Sequence, residues 1–327
     1  MKISIFSLIA FSCLFNTAHS QNPNNKGWIQ RWQEMTISIG NIRHDTVLRD
    51  GKKVVFPYYN ILGTGVIFYV HNCPYNIIVT AKHVLQDEKG NFLDSVRIRF
   101  SWEDGNSVYS FFGHNIRLKF QDKNIIYTHP TNDFDLACFP MLVKDSGVNS
   151  RPMKVVAYQN FADKESYAEG SGVYVLGYPG SVGKTYWTRA LIRKGIISWI
   201  PEDNIGEKKF LIDANVYPGN SGGPVITEIP TIQFRDTTDS DILKDYRFLG
   251  IVIERRFDLN KLTTSKNESV FDSSGIVITG KNKHTSNSAD NFLYSKESMG
   301  IAVVEPAENV LSLLNSLDED LKKAKAK

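Results

Sequence analysis

The sequence has little cysteine: Cys13, Cys73 and Cys138 are the only three in 327 residues. That scarcity excludes a disulfide-stapled scaffold, and no Cys/His group has the spacing of zinc ligands. No metal and no cofactor is expected. A large charge of one sign is also missing, since 38 basic and 35 acidic residues leave a formal charge of +3. A polyanionic partner such as nucleic acid is therefore not expected. The closing "LKKAKAK" is basic but short and reads as a solvated helix end. Helix signals are scarce before the last segment, and there is no internal repeat. The apolar run at the N-terminus, Ile3 to Phe15, is too short to span a bilayer comfortably.

That run has a different meaning. Lys2 precedes it, and a polar break and Ala18-His19-Ser20 follow, with small residues where a signal peptidase cuts. Residues 1–20 are expected to be a secretory signal peptide, cleaved before Gln21. The protein is then expected to work outside the cytoplasm, in the periplasm or secreted. Phe11 and Ser12 before Cys13 make a poor lipid-attachment motif. Cys73, in the polar turn "HNCPYN", and Cys138, in an apolar strand, are expected to be unpaired.

The rest of the chain is rich in short β-type runs: "TGVIFYV", "NIIVTA", "SVRIRF", "GVYVLGY", "GIISWI", "KKFLID", "GPVIT" and "FLGIVI". Gly, Pro, Asn or Asp separates most of them, and they do not alternate with helices. This pattern predicts an all-β sandwich or barrels rather than a parallel α/β sheet. After Pro306, Val310, Leu311, Leu313, Leu314 and Leu317 form one helical stripe, which predicts a C-terminal helix over about 306–323. Residues 227–246 and 257–298 read as surface insertions, the second long, mobile and carrying one hairpin.

Chemistry centres on "VYPGNSGGPVI", residues 216–226, where Ser221 stands among three glycines and two prolines. A serine hydroxyl needs a base and a group that orients the base. His83 is the candidate base, because an apolar strand, "NIIVTA", ends in it. Asp135 directly precedes the apolar strand Leu136–Phe139 and is favoured as the orienting acid over Asp133, two residues earlier. The order His83, Asp135, Ser221 is that of the triad on paired β-barrels. The "G-x-S-x-G" reading of residues 219–223 as an α/β-hydrolase elbow requires Ser before acid before His, and only His284 follows Ser221. In "GYPGSVGKT" Gly177 lies one residue too far back for a phosphate-binding loop, with Tyr178 at the position that needs glycine.

These motifs carry a resemblance. "TAKHVL", "DFDLACF" and "DANVYPGNSGGPV" resemble the histidine, aspartate and serine motifs of the trypsin-like serine peptidases, and among them the HtrA/Deg protease domain. Weaker echoes span roughly residues 60–315. The chain departs from that family in both insertions and in Lys82, where a small or polar residue is usual. The PDZ module that usually follows the protease domain is not expected here.

The resemblance implies two six-stranded antiparallel β-barrels over about 36–150 and 165–305 within a domain of 21–327. It implies a serine endopeptidase acting on polypeptides, with an oxyanion hole formed by the backbone N–H groups of Gly219 and Ser221. Asn215 falls at the base of the specificity pocket, and Ile253, Glu254 and Arg255 on the edge that pairs with extended substrate. The neutral Asn215 and the charge of Arg255 predict no cleavage after Arg or Lys. Asn220, being uncharged, predicts no activation through a freed N-terminal amine. The alternative is a silent binding or scaffold protein on the same fold.

Overall fold

A computed structural model describes residues 27–49, 51–103, 109–121, 123–130, 134–142, 153–180, 189–202, 208–228, 246–262, 279–280 and 292–326. The expected signal peptide lies outside the described residues, as do Asp133 and most of both expected insertions.

The chain opens on a helix the sequence reading did not anticipate, α1 (Trp28–Met35). Trp28, Trp32 and Met35 recur at helical spacing, and Trp32 and Met35 are buried. The β-prone run Thr36-Ile37-Ser38-Ile39 then takes over, with Thr36 Oγ1 donating back to the Trp32 carbonyl at 2.6 Å.

Nine strands follow: β1 (Thr36–Arg49), β2 (Lys52–Phe68), β3 (Ile77–Ala81), β4 (Ser95–Glu103), β5 (Tyr109–Arg117), β6 (Lys119–Phe120), β7 (Lys123–Asn124), β8 (Tyr127–Thr128) and β9 (Leu136–Pro140). All but the small β6–β7 pair form one antiparallel sheet in the order β5-β4-β1-β2-β3-β9-β8. The expected first barrel is therefore an open row of seven strands, with no ladder joining β5 to β8 among the described residues. β8 has only two residues, too few to build one. At a bulge between Ile39 and Gly40, β1 and β2 leave the sheet and continue to the turn at Gly51 as a two-stranded ribbon. That ribbon exposes Ile42, Val47, Leu48, Val54 and Val55.

The second unit comprises β10 (Gly172–Gly177), β11 (Leu191–Trp199), β12 (Phe210–Asp213), β13 (Pro224–Glu228), β14 (Tyr246–Leu262), β15 (Thr279–Gly280) and β16 (Phe292–Pro306). Here the order β12-β11-β10-β13-β14-β16 closes on itself through β12–β16 pairing, so six strands make a full barrel and β15 adds outside β16. The long expected insertion starts as regular ladder: β14 and β16 stay paired out to Leu262 and Leu293.

Each unit has its own core. Ile37, Ile67, Ile78, Ile98 and Phe139 fill the first, and Val175, Ile212, Val225, Leu249 and Val304 the second. A third cluster, with Trp32, Phe68, Phe248 and Ile251, joins them beneath α2 (Ala307–Lys325). Val310, Leu313 and Leu314 of the predicted stripe are fully buried there. Each such side chain is worth about 1.5–3 kcal/mol when removed from water. Polar contacts tie α2 to the first sheet: Asp318 accepts from the Asn72 backbone at 2.9 Å, and Asp320 from Tyr127 Oη at 2.9 Å. α1 instead reaches the second barrel, where Trp28 stacks on Tyr246 and Gln33 donates to the Ala190 carbonyl at 2.6 Å. Cys73 is half-buried, Cys138 is buried, and both are free thiols.

Candidate active site

Strand pairing brings the histidine and the aspartate together. β3 and β9 are direct antiparallel neighbours, with Ala81 opposite Leu136. A residue just past the end of β3 must therefore meet one just before the start of β9. His83 sits in a single 3-10 turn, Lys82–Leu85, immediately after Ala81. The Lys82 N–H donates to the Asp135 carbonyl at 3.1 Å and continues the ladder by one rung. The His83 backbone N–H donates to Asp135 Oδ1 at 3.1 Å, and Nδ1 lies 2.6 Å from Oδ2. With Nδ1 as donor, Nε2 keeps its lone pair and can accept a proton. The imidazole is about half exposed, as expected of a group that must meet substrate.

Ser221 lies in the turn between β12 and β13. The N–H groups of Asn220, Gly222 and Gly223 are all tied within the protein, to the carbonyls of Tyr217, Val252 and Asn220. Among the described residues, those of Gly219 and Ser221 make no hydrogen bond. The two donors expected to form the oxyanion hole are thus the open ones in this turn. Gly219 has φ +98°, and a Cβ there would strike the Tyr178 carbonyl. Gly222 has φ +87°, and a Cβ there would overlap Thr64 O and Thr80 Oγ1. Neither position tolerates a side chain.

The serine turn is braced from the first sheet by two residues that the sequence reading did not single out. The Thr64 N–H donates to the Ser221 carbonyl at 2.8 Å. Thr64 Oγ1 donates to the Gly219 carbonyl at 2.7 Å and accepts the Tyr178 N–H at 3.0 Å. Thr80 Oγ1, on the strand that delivers His83, donates to the Thr64 carbonyl at 2.6 Å. A Cβ built on Gly63 would touch both the Val84 side chain, beside His83, and the Ser221 carbonyl, 2.9 Å away. His83 and Ser221 therefore flank one narrow joint between the two units. Among the described residues Ser221 Oγ makes no hydrogen bond to the imidazole; such bonds often tighten only once substrate is bound.

Of the expected specificity residues, Asn215 is exposed just beyond β12. The sequence aligned Ile253, Glu254 and Arg255 as one run of open edge, but a bulge interrupts it, with Val252 opposite Val304 and Glu254 opposite Val303. Ile253 turns into the apolar cluster of the first sheet. Glu254 is exposed, and the Arg255 side chain lies outside the described residues. β13 ends opposite Ile251 and the Val252 N–H and carbonyl are taken by Gly223 and Gly222, so beyond Val252 the β14 edge away from β16 has no strand partner among the described residues. That leaves main-chain groups available to an extended chain. Among the described residues no group of three or more metal-ligating side chains occurs.

Residues 63–229 match the family model of the trypsin-like peptidase domain. Among curated proteins, "Putative protease Do-like 12, mitochondrial" from Arabidopsis thaliana is 31% identical over 141 residues, which is 40% of this chain. The match spans only 26% of that relative's length. Solved structures similar to this chain include two proteases. The HtrA-type protease AlgW with a decapeptide has a TM-score of 0.48 at 15% identity, covering 90% of this chain and 67% of its own. Deg5 has a TM-score of 0.39 at 15% identity, covering 72% and 86%. With the family model spanning just over half of the 327 residues, the chain belongs to the trypsin-like peptidase family.

Proposed function

We propose that the chain is an endopeptidase that cleaves polypeptides through an acyl-enzyme, with Ser221 as nucleophile, His83 as general base and Asp135 as the group that orients it. The observation that carries this reading is the 2.6 Å contact between His83 Nδ1 and Asp135 Oδ2. It fixes the tautomer in which Nε2 is free to accept a proton. Ser221 Oγ attacks the scissile carbonyl carbon as Nε2 takes its proton, and the resulting imidazolium is stabilised by Asp135. The carbonyl oxygen becomes an oxyanion within reach of the Gly219 and Ser221 N–H groups. His83 then protonates the leaving amine, the C–N bond breaks, and water repeats the sequence on the ester to release the acid.

Substrate lies along the free β14 edge, with Asn215 at the base of the pocket for the residue before the cut. The signal-type leader at residues 1–20 supports work outside the cytoplasm, in the periplasm or secreted.

A fluorophosphonate probe tests the reading. It should label the folded protein, and labelling should vanish in Ser221→Ala and His83→Ala. Absence of labelling in folded wild-type protein would favour a silent scaffold on the same fold.

A further inference from the structure

Asp135 stands at the mouth of a strand. Its carbonyl takes the Lys82 N–H, and its carboxylate takes the His83 N–H and meets Nδ1. The β3–β9 ladder begins at the next residue, where Leu136 lies opposite Ala81. That ladder fixes the chain after Asp135; the chain before it passes through Phe134. Phe134 has no place in the triad, yet contacts from both units converge on it. The ring of His129, just past β8, meets it edge to face, with centroids 4.5 Å apart and planes at 80°. His129 is itself buried, and its Nε2 lies 3.0 Å from Ser312 Oγ on α2. The Lys208 ammonium, just ahead of β12 in the second barrel, lies 5.6 Å from the centre of the Phe134 ring. Phe134 also packs on the apolar cluster that joins the two units. Edge-to-face ring pairs and cations over rings are both directional, so they set where a ring stands as well as burying it.

We propose that Phe134 is a positioning residue for the His83–Asp135 pair: its ring, held by His129 and Lys208, fixes the peptide that enters Asp135 and so the direction in which the carboxylate leaves the backbone. The inference rests on the peptidase reading given above. An aspartate side chain is short, so its oxygens follow the backbone that carries them. Of the two residues that set that backbone, Leu136 is fixed by its ladder with Ala81, on the strand that delivers His83. Phe134 is fixed by ring contacts from outside that ladder. With both in place, Asp135 Oδ2 is kept 2.6 Å from His83 Nδ1. α2 takes part through His129, because the Ser312 hydroxyl holds the imidazole that meets Phe134. An aliphatic side chain at 134 could fill the half-buried space, but it has no ring to orient. A different ring of the same shape can supply the hold.

The test compares Phe134→Leu, Phe134→Tyr and His129→Ala in the full chain. The readouts are kinetics on a peptide substrate, thermal unfolding and the ring ¹⁵N shifts of His83, which report which nitrogen of the neutral imidazole carries the proton. Loss of the hold displaces Asp135, and small displacements of a reacting group cost roughly 10–100-fold in turnover. Phe134→Leu, assayed below its Tm, should lower kcat by that factor with KM within about twofold, and should turn the single Nδ1–H tautomer into a mixture. Phe134→Tyr keeps the ring and should keep both wild-type values. His129→Ala should reproduce the loss, and the double variant with Phe134→Leu should be no worse than Phe134→Leu alone. Should Phe134→Leu not fold, His129→Ala carries the same comparison. A folded Phe134→Leu in which either kcat or the tautomer is unchanged overturns the proposal. So does a loss that Phe134→Tyr shares, or one that falls on KM alone. If wild-type protein itself turns over no peptide, the peptidase reading fails, and the tautomer comparison alone still decides whether Phe134 positions Asp135.

Discussion

Removing one hydroxyl at the joint between the units should separate stability from catalysis. Thr64 is fully buried, and its Oγ1 serves two partners, donating to the Gly219 carbonyl and accepting from the Tyr178 N–H. Thr64→Val keeps the shape and orphans both. Each unsatisfied buried group costs about 1–3 kcal/mol, so allowing for local relaxation the variant should lose about 2–4 kcal/mol. At roughly 2–4 °C per kcal/mol for a chain of this size class, Tm should fall by about 5–15 °C. The Gly219 carbonyl belongs to the peptide that leads from one open N–H to the next residue, so its release loosens the oxyanion donors. Losing one such donor outright costs about 10²–10³ in kcat; losing its brace should cost about 10–100-fold, with KM nearly constant. Differential scanning fluorimetry and steady-state kinetics below the new Tm read both effects. Thr64→Ser, which retains the hydroxyl, should recover most of each. Wild-type kcat in a Thr64→Val protein that shows the Tm loss would refute the claim that Thr64 aligns the serine turn.

Three further outcomes are expected. Burial pushes the Cys138 thiol far up, so a maleimide should label Cys73 alone in native protein and both thiols after denaturation; equal native rates would contradict the packing around β9. The folded-state pKa of Glu305 lies above the unfolded value, so as pH rises the unfolded chain releases this proton first and stability falls through that window, by about 1.4 kcal/mol per pKa unit of separation. Glu305→Gln, which removes this buried carboxyl near the end of β16, should flatten the fall of the urea midpoint as pH rises above the ordinary carboxyl range, and parallel losses in both proteins would show the slope to come from elsewhere. Peptides differing only before the scissile bond should favour small or medium uncharged residues; a kcat/KM for Arg tenfold above that for Val or Ala would sink the specificity argument.

Strand identity was legible because β-branched runs punctuated by Gly and Pro carry their own signal. So was the meeting of His83 with Asp135, since two apolar strands end at these residues. α1 escaped because Gly27 precedes it in place of a polar cap and only eight residues follow. The openness of the first sheet could not be read, because closure depends on outer strands such as β8 whose two residues leave no periodic trace. Thr64 and Thr80 looked like ordinary strand residues, and the bond from Thr64 to Gly219 spans 155 positions. The bulge that turns Ile253 inward shifts side-chain direction by one residue, a change that composition does not record.

Among the described residues, both helices bridge the two units. α1 packs against β1 and β4 yet also bonds to the second barrel, and α2 packs on β14 and β16 yet also bonds to the first sheet, the Asn72–Asp318 contact joining residues 246 positions apart. Such closures are the slowest to form, because most of the chain must be ordered before they are rewarded. During synthesis the first sheet emerges with its partner surfaces still unmade, and the last turn of assembly waits for α2. The apolar cluster that joins the two units is complete only once α2 has docked on it, which makes that helix the clasp of the molecule.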